Sequence, residues 1–130
     1  MNWEECTRLA YAKKTAKDDA LIKSMQESAL AREKTAGMLR IDETTKETLF
    51  TLYYDVLREL VSIEALKNGY KIYNHECLSA FLAEVLKDND SAREFDNLRR
   101  LRNNISYEGK RLGHAKEAID RARGLIKRYH

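Results

Sequence analysis

The sequence predicts an all-α fold, an up-and-down antiparallel bundle of four to five helices forming a single domain over residues 1–130. Three observations predict it. The chain contains no proline and only five glycines, so few positions interrupt a helix. It is rich in Ala, Leu, Glu, Lys and Arg, which favour helices, while signals for β-strands are nearly absent. Apolar residues recur at helical spacing in blocks joined by short linkers, as in bundles of antiparallel helices.

The first two blocks differ in the strength of their apolar pattern. The first runs from about Asn2 to Ala36, and it breaks near Lys17–Asp19, where an aspartate can cap a second segment. The second block, Asp42–Lys67, carries the widest apolar face in the chain, and Asp42 is its predicted N-cap. Apolar positions on that face recur at Leu49, Leu52, Tyr53, Val56, Leu57, Leu60, Ile63 and Leu66.

Three further blocks complete the predicted bundle. Asn74 can cap a third helix, and Asp90 or Ser91 begins a fourth that reaches about Tyr107. The last helix covers His114–Tyr129 and repeats small and branched apolar residues on one stripe. We find no internal repeat or low-complexity tract, so one helical domain is expected.

The net charge of +3 hides an asymmetry along the chain. Residues 93–128 hold eleven Lys/Arg against five Asp/Glu, which gives +6, and the remainder gives −3. A basic final third suits an anionic partner such as nucleic acid. The alternative is a solvated helix face, and charge alone does not separate the two.

The composition also limits the expected cellular compartment and the kinds of catalytic or metal site that the chain can form. Cys6 and Cys77 are too few for a metal site, and no signal peptide or long apolar run is expected, which predicts a cytoplasmic protein with reduced thiols and no membrane contact. A disulfide between the two is the alternative. We find no Gly-rich phosphate loop, metal-spaced cluster or Ser/His/Asp set, so no cofactor and no metal are expected.

Several aromatic residues and histidines have ordinary structural explanations. Tyr53, Tyr54, Tyr70 and Tyr73 are expected to pack in the core or under loops rather than form a platform for stacking bases. His75 follows the predicted cap of the third helix and is expected to be a solvated first-turn residue rather than a ligand.

The most informative segment lies at the end of the fourth helix. Phe95, Leu98, Arg102 and Ile105 follow at steps of three, four and three, so an arginine occupies a position that helical periodicity assigns to an apolar residue. A guanidinium can be dehydrated there only with carboxylate, phosphate or carbonyl partners. The same helix edge carries the polar residues Arg99, Asn103, Ser106 and Tyr107.

Two interpretations of Arg102 are open. In the first, Arg102 forms a buried ion pair with a carboxylate of the second block, which locks two helices together. In the second, Arg102 faces a cleft and binds a phosphate bidentately, with Asn103 supporting it. The carboxylates available for the first interpretation are Asp55, Glu59 and Glu64.

The segment resembles a known family. Arg102 and Asn103, followed by an aromatic residue at Tyr107, are similar to the Arg-polar-x(3–5)-His signature of HEPN (higher eukaryotes and prokaryotes nucleotide-binding) domains. The runs 52–60 and 69–78 also resemble small prokaryotic, particularly archaeal, members, and the resemblance covers about residues 42–128. It implies a helical bundle, often dimeric. Catalytic members are metal-independent endoribonucleases, many of them toxins paired with a nucleotidyltransferase antitoxin, and others are noncatalytic binding modules.

The resemblance carries roles to individual residues. Arg102 would hold the phosphate, Asn103 would support it, and Tyr107 stands in place of the histidine. Histidine exchanges protons near neutral pH, whereas a phenol ionises only near about pH 10, so phosphate binding survives this change more easily than RNA cleavage.

The resulting hypothesis is a homodimeric HEPN-like protein that binds RNA or nucleotide phosphate, with ribonuclease activity weak or lost. Its binding residues would be Arg99, Arg102, Asn103, Ser106 and Tyr107. Two alternatives stay open. One is a protein-partner subunit of a toxin–antitoxin system that docks a nucleotidyltransferase. The other is an active metal-independent endoribonuclease in which Arg102 and Tyr107 are catalytic, or in which His75 or His114 transfers the proton in place of Tyr107.

Overall fold

Six α-helices and one pair of short strands make up the chain in a computed structural model, which describes residues 1–130. The predominantly helical character of the predicted fold is confirmed, whereas six helices are present in place of the four to five predicted, and the strands were not predicted. The helices are α1 Trp3–Arg8, α2 Asp19–Gly37, α3 Lys46–Lys67, α4 His75–Ala80, α5 Asn89–Glu108 and α6 Ala115–Arg128. The strands are β1 Ala12–Lys14 and β2 Tyr70–Ile72, and α4 continues into a π-helical segment, Phe81–Val85.

Helix α3 is the central element of the fold. It packs against α2, α4, α5 and α6, and its wide apolar face is buried as the sequence predicts. Asp42 does not cap it, because the Asp42 carboxylate accepts hydrogen bonds from the N–H groups of Thr44 and Thr45 at 2.8 and 2.9 Å and so stabilises the preceding turn. Glu47, in the first turn of α3, accepts instead from Arg111 Nε at 2.8 Å and ties the α5–α6 loop to this end of the bundle.

The two strands form a small ribbon that joins the amino-terminal segment to the rest of the molecule. β1 and β2 are antiparallel, with Ala12 opposite Ile72, and Gly69 enters the ribbon with a φ of +83° that favours glycine. Cys6 and Cys77, both fully buried beneath the ribbon, form a disulfide. The expectation of reduced thiols is therefore wrong in this structure, since packing brings together α1 and α4, which are remote in sequence.

Helix α5 begins at a different cap from the one predicted. Asp88, rather than Asp90 or Ser91, caps it by accepting from the Ser91 N–H at 3.2 Å. The other Asp88 oxygen accepts from the Tyr129 hydroxyl and from Arg128 Nε, which fastens the end of α6 to the start of α5. Burial opposes ionisation of Asp88, yet these hydrogen bonds hold its pKa well below the usual range.

The other capping residues agree with the sequence, whereas the first predicted block is helical only in α1 and α2, because residues 12–14 pair as β1. Asp18 caps α2, Asn74 caps α4, and Gly109, with a φ of +65°, ends α5. No helix has the length and apolar character needed to cross a membrane.

Candidate functional site

Arg102 lies where α5 packs against α3 and α4. Phe95 and Leu98, on the same stripe, are fully buried, whereas Arg102 and Ile105 are half-buried. The Nε atom of Arg102 is buried and has no hydrogen-bond partner, and its Nη1 only reaches the hydroxyl of Tyr107 at 3.4 Å, a long hydrogen bond. The guanidinium therefore retains donors that no protein group satisfies.

The interpretation of Arg102 as an interhelix ion-pair lock is wrong. Arg102 has no carboxylate within ion-pair distance, although three carboxylates of α3 were candidates. Each of them has another partner: Asp55 with Arg58 at 3.9 Å, Glu59 with Arg32 at 3.1 Å and Glu64 with Lys67 at 3.7 Å. A buried arginine donor without a partner is costly, so this position is explained better by a ligand than by the fold.

A tyrosine and a histidine face the positive charge around Arg102. Tyr54 is fully buried in α3, and its hydroxyl lies 3.3 Å from Nδ1 of His75 in the first turn of α4. Burial raises the pKa of Tyr54 to about 12, although the positive charges of Arg58, Arg102 and Arg99 act in the opposite direction. Tyr54 and His75 thus lie within electrostatic range of Arg58, Arg102 and Arg99, and the charge of Asp55 acts on both in the opposite direction.

His75 is a functional candidate that the sequence could not place near Arg102. It is half-buried and contacts Tyr54, so the expectation of a solvated first-turn residue is wrong. Burial, followed by the charges of Arg58 and Arg102, lowers its pKa below the ordinary value. His75 is therefore neutral near pH 7 and able to accept a proton. No sequence spacing could pair it with Arg102, since the packing of α4 on α5 creates the proximity.

The predicted binding edge is only partly assembled. Arg99 is committed to the protein, because its side chain is 16% exposed and its Nη2 lies 2.9 Å from Asp96 and 3.8 Å from Glu76. Tyr107 is 76% exposed, and its ring centroid lies 5.7 Å from Arg102 Cζ. The remaining members of the edge, Asn103 and Ser106, make no side-chain hydrogen bond and so stay available to a ligand.

The basic character of the final third is largely neutralised within the molecule. Arg100, Arg111 and Arg121, for example, pair with carboxylates at 2.7, 2.8 and 2.5 Å. The cations of residues 93–128 that have no ion pair are Arg102, Arg123 and Lys127. The charge asymmetry of the sequence is thus a weaker indication of an anionic partner than the position of Arg102.

The chemistry that this site can support is anion binding and proton exchange at the surface. The larger cavities do not include Arg102 or His75, and the nearest, of about 520 Å³, is lined by Arg99 and its carboxylate partners. No group of three or more His, Cys, Asp or Glu side chains is placed to hold a metal ion. An oxyanion would approach Arg102 from solvent, within range of the Arg102 charge that also acts on His75.

Comparisons with known proteins do not assign the chain to a family. No protein-family model, no curated protein and no solved structure matches it. The function is therefore inferred from the surroundings of Arg102.

Proposed function

We propose that this is a HEPN-like helical protein that binds the phosphate of RNA or of a nucleotide at the Arg102–Tyr107 edge of α5, with ribonuclease activity weak or lost. One observation carries the proposal: the Arg102 guanidinium has a buried, unpaired Nε and no carboxylate partner. A phosphate oxygen would supply the missing acceptors, because guanidinium and phosphate form bidentate, charge-assisted hydrogen bonds. The homodimer that the resemblance implies belongs to the same proposal, whereas a toxin–antitoxin subunit that docks a nucleotidyltransferase is the alternative to it.

The neighbouring charges support this choice of ligand. Arg58 makes only a long ion pair of 3.9 Å, and its charge and that of Arg102 both act on Tyr54 and His75. An anion at Arg102 would therefore sit in a positive field that a neutral ligand could not use. Asn103 lies beside Arg102 on the helix with a free side chain, in position to support a sugar or backbone oxygen.

A second candidate function is favoured by His75. Its neutral imidazole, beside Arg102 and in contact with Tyr54, could take the proton-transfer role that Tyr107 fills poorly. In that case the protein would be an active metal-independent endoribonuclease. Transfer of a 2′-hydroxyl proton to the histidine would let that oxygen attack the adjacent phosphorus and expel the 5′-oxygen, leaving a cyclic phosphate.

The test is binding and cleavage of a mixed RNA pool in the presence of EDTA. Arg102→Ala should weaken binding about 10- to 100-fold, the range expected for loss of a charge-assisted contact. Arg123→Ala is the matched control, since Arg123 also lacks a carboxylate partner but rests over the ring of Tyr53 on another part of the molecule.

Three outcomes separate the candidates. Arg102-dependent binding without cutting supports the binding protein. EDTA-resistant cutting that His75→Ala removes supports the ribonuclease. Unchanged affinity in Arg102→Ala contradicts the proposal and leaves docking of a protein partner as the alternative.

A further inference from the structure

The exposed side of the β1–β2 ribbon carries two lysines and two tyrosines, and we call this set, Tyr11, Lys13, Lys71 and Tyr73, the ribbon face. Lys13 lies directly opposite Lys71 in the antiparallel register. The Tyr73 N–H donates to the Tyr11 carbonyl oxygen at 2.7 Å and extends the same register by one pair. Because side chains alternate along a strand, all four belong to one side of the ribbon.

The ribbon face has no structural explanation within the molecule. Like charges directly opposite each other destabilise a ribbon, and neither Lys13 nor Lys71 forms an ion pair. Both ammonium groups lie 5.6 Å from the ring centroid of Tyr73. That ring is 58% exposed, so the expectation that Tyr73 packs under a loop is wrong. The arrangement keeps an aromatic surface and two cations without ion pairs available to solvent.

The opposite side of the ribbon is firmly supported. Ala12 is buried against the Cys6–Cys77 disulfide, and Ile72 and Trp3 pack against the same cluster. The ribbon face is thus held on a covalently fixed base, which suits a rigid platform better than a mobile loop.

The ribbon face is also continuous with the surroundings of Arg102. Tyr73 precedes His75 by two residues, and this spacing limits their Cα atoms to about 7 Å apart. The charge of Arg102 contributes to lowering the pKa of His75, so the two side chains lie within electrostatic range of each other. We expect a single extended ligand to reach both places.

We propose that the ribbon face is a second contact for single-stranded nucleic acid, with a base stacked on Tyr73 and backbone phosphates bound by Lys13 and Lys71. Exposed aromatic rings with flanking cations bind single strands because an unpaired base offers its face to the ring. A duplex hides its base faces, so the ligand is a single strand, and the proposed function makes that strand RNA. This second contact rests on the proposed function, in which Arg102 binds a phosphate of the same strand.

The test is fluorescence anisotropy with a labelled single-stranded uridine oligonucleotide over a range of salt concentrations. Tyr73→Ala and Tyr73→Leu should weaken binding about tenfold, and Tyr73→Phe should keep the affinity because it keeps the ring. None of these variants should change the dependence of affinity on salt. Circular dichroism checks that each variant is folded.

The lysines are tested by the salt dependence itself. Lys13→Gln with Lys71→Gln should reduce the slope of log affinity against log salt by about 1.4, because each phosphate contact on a single strand contributes about 0.7. Lys23→Gln with Lys34→Gln is the matched control. It removes the same charge from exposed positions of α2 and should leave the slope almost unchanged.

The outcomes distinguish the ribbon face from Arg102. If Arg102→Ala loses binding while the ribbon variants bind normally, the ribbon inference is overturned and the proposed function stands. If the ribbon variants lose binding while Arg102→Ala binds normally, the proposed function fails. The idea that one strand contacts both Tyr73 and Arg102 fails with it. Equal affinity for a duplex, for an abasic strand or for polyglutamate overturns stacking of a base on Tyr73. Absence of any oligonucleotide binding by the wild type overturns both.

Discussion

At the residue scale, the proposed function depends on two side chains, an arginine and a histidine, whose surroundings are unusual for these residue types. Arg102 carries a buried donor without an acceptor, and His75 is half-buried beside positive charge. Both conditions cost free energy in the unliganded protein. A bound anion would remove both costs, since it would accept from Arg102 and favour a protonated His75.

The titration of His75 is the prediction that belongs to this scale. Arg102→Ala removes one of the charges that lower the His75 pKa, so that pKa should rise toward 6.5, the ordinary value. Arg123→Ala should leave it unchanged. NMR titration of the imidazole protons, assigned with His75→Gln, measures both. A His75 pKa that does not respond to Arg102→Ala would place Arg102 too far away to act with it.

The same residue makes folding stability depend on pH. The unfolded chain binds a proton at His75 below about pH 6.5, whereas the folded chain does so only at lower pH. The free energy of unfolding should therefore fall as the pH drops below 6.5, before Asp and Glu residues titrate. Urea unfolding between pH 5 and 7 measures this, and His75→Gln should flatten the dependence. A wild type with flat stability in that window would contradict the burial of His75.

The sequence could identify Arg102 but not its surroundings. Periodicity places this arginine on an apolar stripe, yet whether Asp55, Glu59 or Glu64 reaches it depends on the relative rotation of α3 and α5. The contact between His75 and Tyr54 depends on packing in the same way. Pattern on one helix therefore locates a candidate residue, and contacts between helices decide what it does.

At the element scale, the caps show where local signals are sufficient. Asp18 and Asn74 are isolated capping residues, and both accept the expected backbone N–H. At the start of α5, three residues can each serve as the N-cap: Asp88, Asp90 and Ser91. Asp88 is the cap in the structure, because Tyr129 and Arg128 of the carboxyl-terminal end also bind its carboxylate. The three-residue strands were missed because they are too short to show alternation and pair with a segment far along the chain.

The competition between these caps can be measured. Asp88→Ala should lower the free energy of unfolding by about 3 kcal/mol, about 1 for the cap and the rest for the charge-assisted hydrogen bonds. Asp90→Ala should cost less than about 0.5 kcal/mol, since that carboxylate is exposed and pairs only with Arg93. Chemical denaturation at pH 7 compares the two. Equal losses would restore Asp90 as the cap.

The loss of folding stability at low pH also tests the Asp88 cap of α5. The Asp88 pKa lies well below its usual range, so the stability that this carboxylate contributes is present above about pH 4 and is lost as the pH falls further. Asp88→Asn should flatten the decline below pH 4 while leaving the His75-dependent decline between pH 5 and 6.5 unchanged. Unfolding curves at pH 2 to 7 separate these two contributions. If Asp88→Asn leaves the decline in the free energy of unfolding below pH 4 unchanged, the hydrogen bonds to Asp88 do not lower its pKa.

At the scale of the whole molecule, the disulfide holds the amino-terminal segment and its ribbon against α4. Cys6 and Cys77 close a loop of 71 residues, although the sequence predicted reduced thiols and a disulfide only as the alternative. Their pairing could not be read from spacing, because only the fold brings them together. Through the ribbon, the bond also supports the segment that leads into His75.

Removal of the disulfide should lower the free energy of unfolding by about 4 kcal/mol, because a cross-link closing a loop of this length restricts the unfolded chain. The variant Cys6→Ala with Cys77→Ala should unfold at the same urea concentration with or without dithiothreitol. The wild type should match it only when reduced. A wild type whose midpoint is insensitive to dithiothreitol would contradict the structural role of the bond.

The most direct test of the central claim is the melting temperature of wild type and Arg102→Ala, each with and without single-stranded RNA. An arginine that serves a ligand rather than the fold should be replaceable, since its buried Nε has no partner to lose. We expect Arg102→Ala to melt at or above the wild-type temperature without RNA, and RNA to raise the melting temperature of the wild type more than that of the variant. A variant that melts lower yet is stabilised by RNA as much as the wild type would show that Arg102 supports the fold and that RNA binds elsewhere.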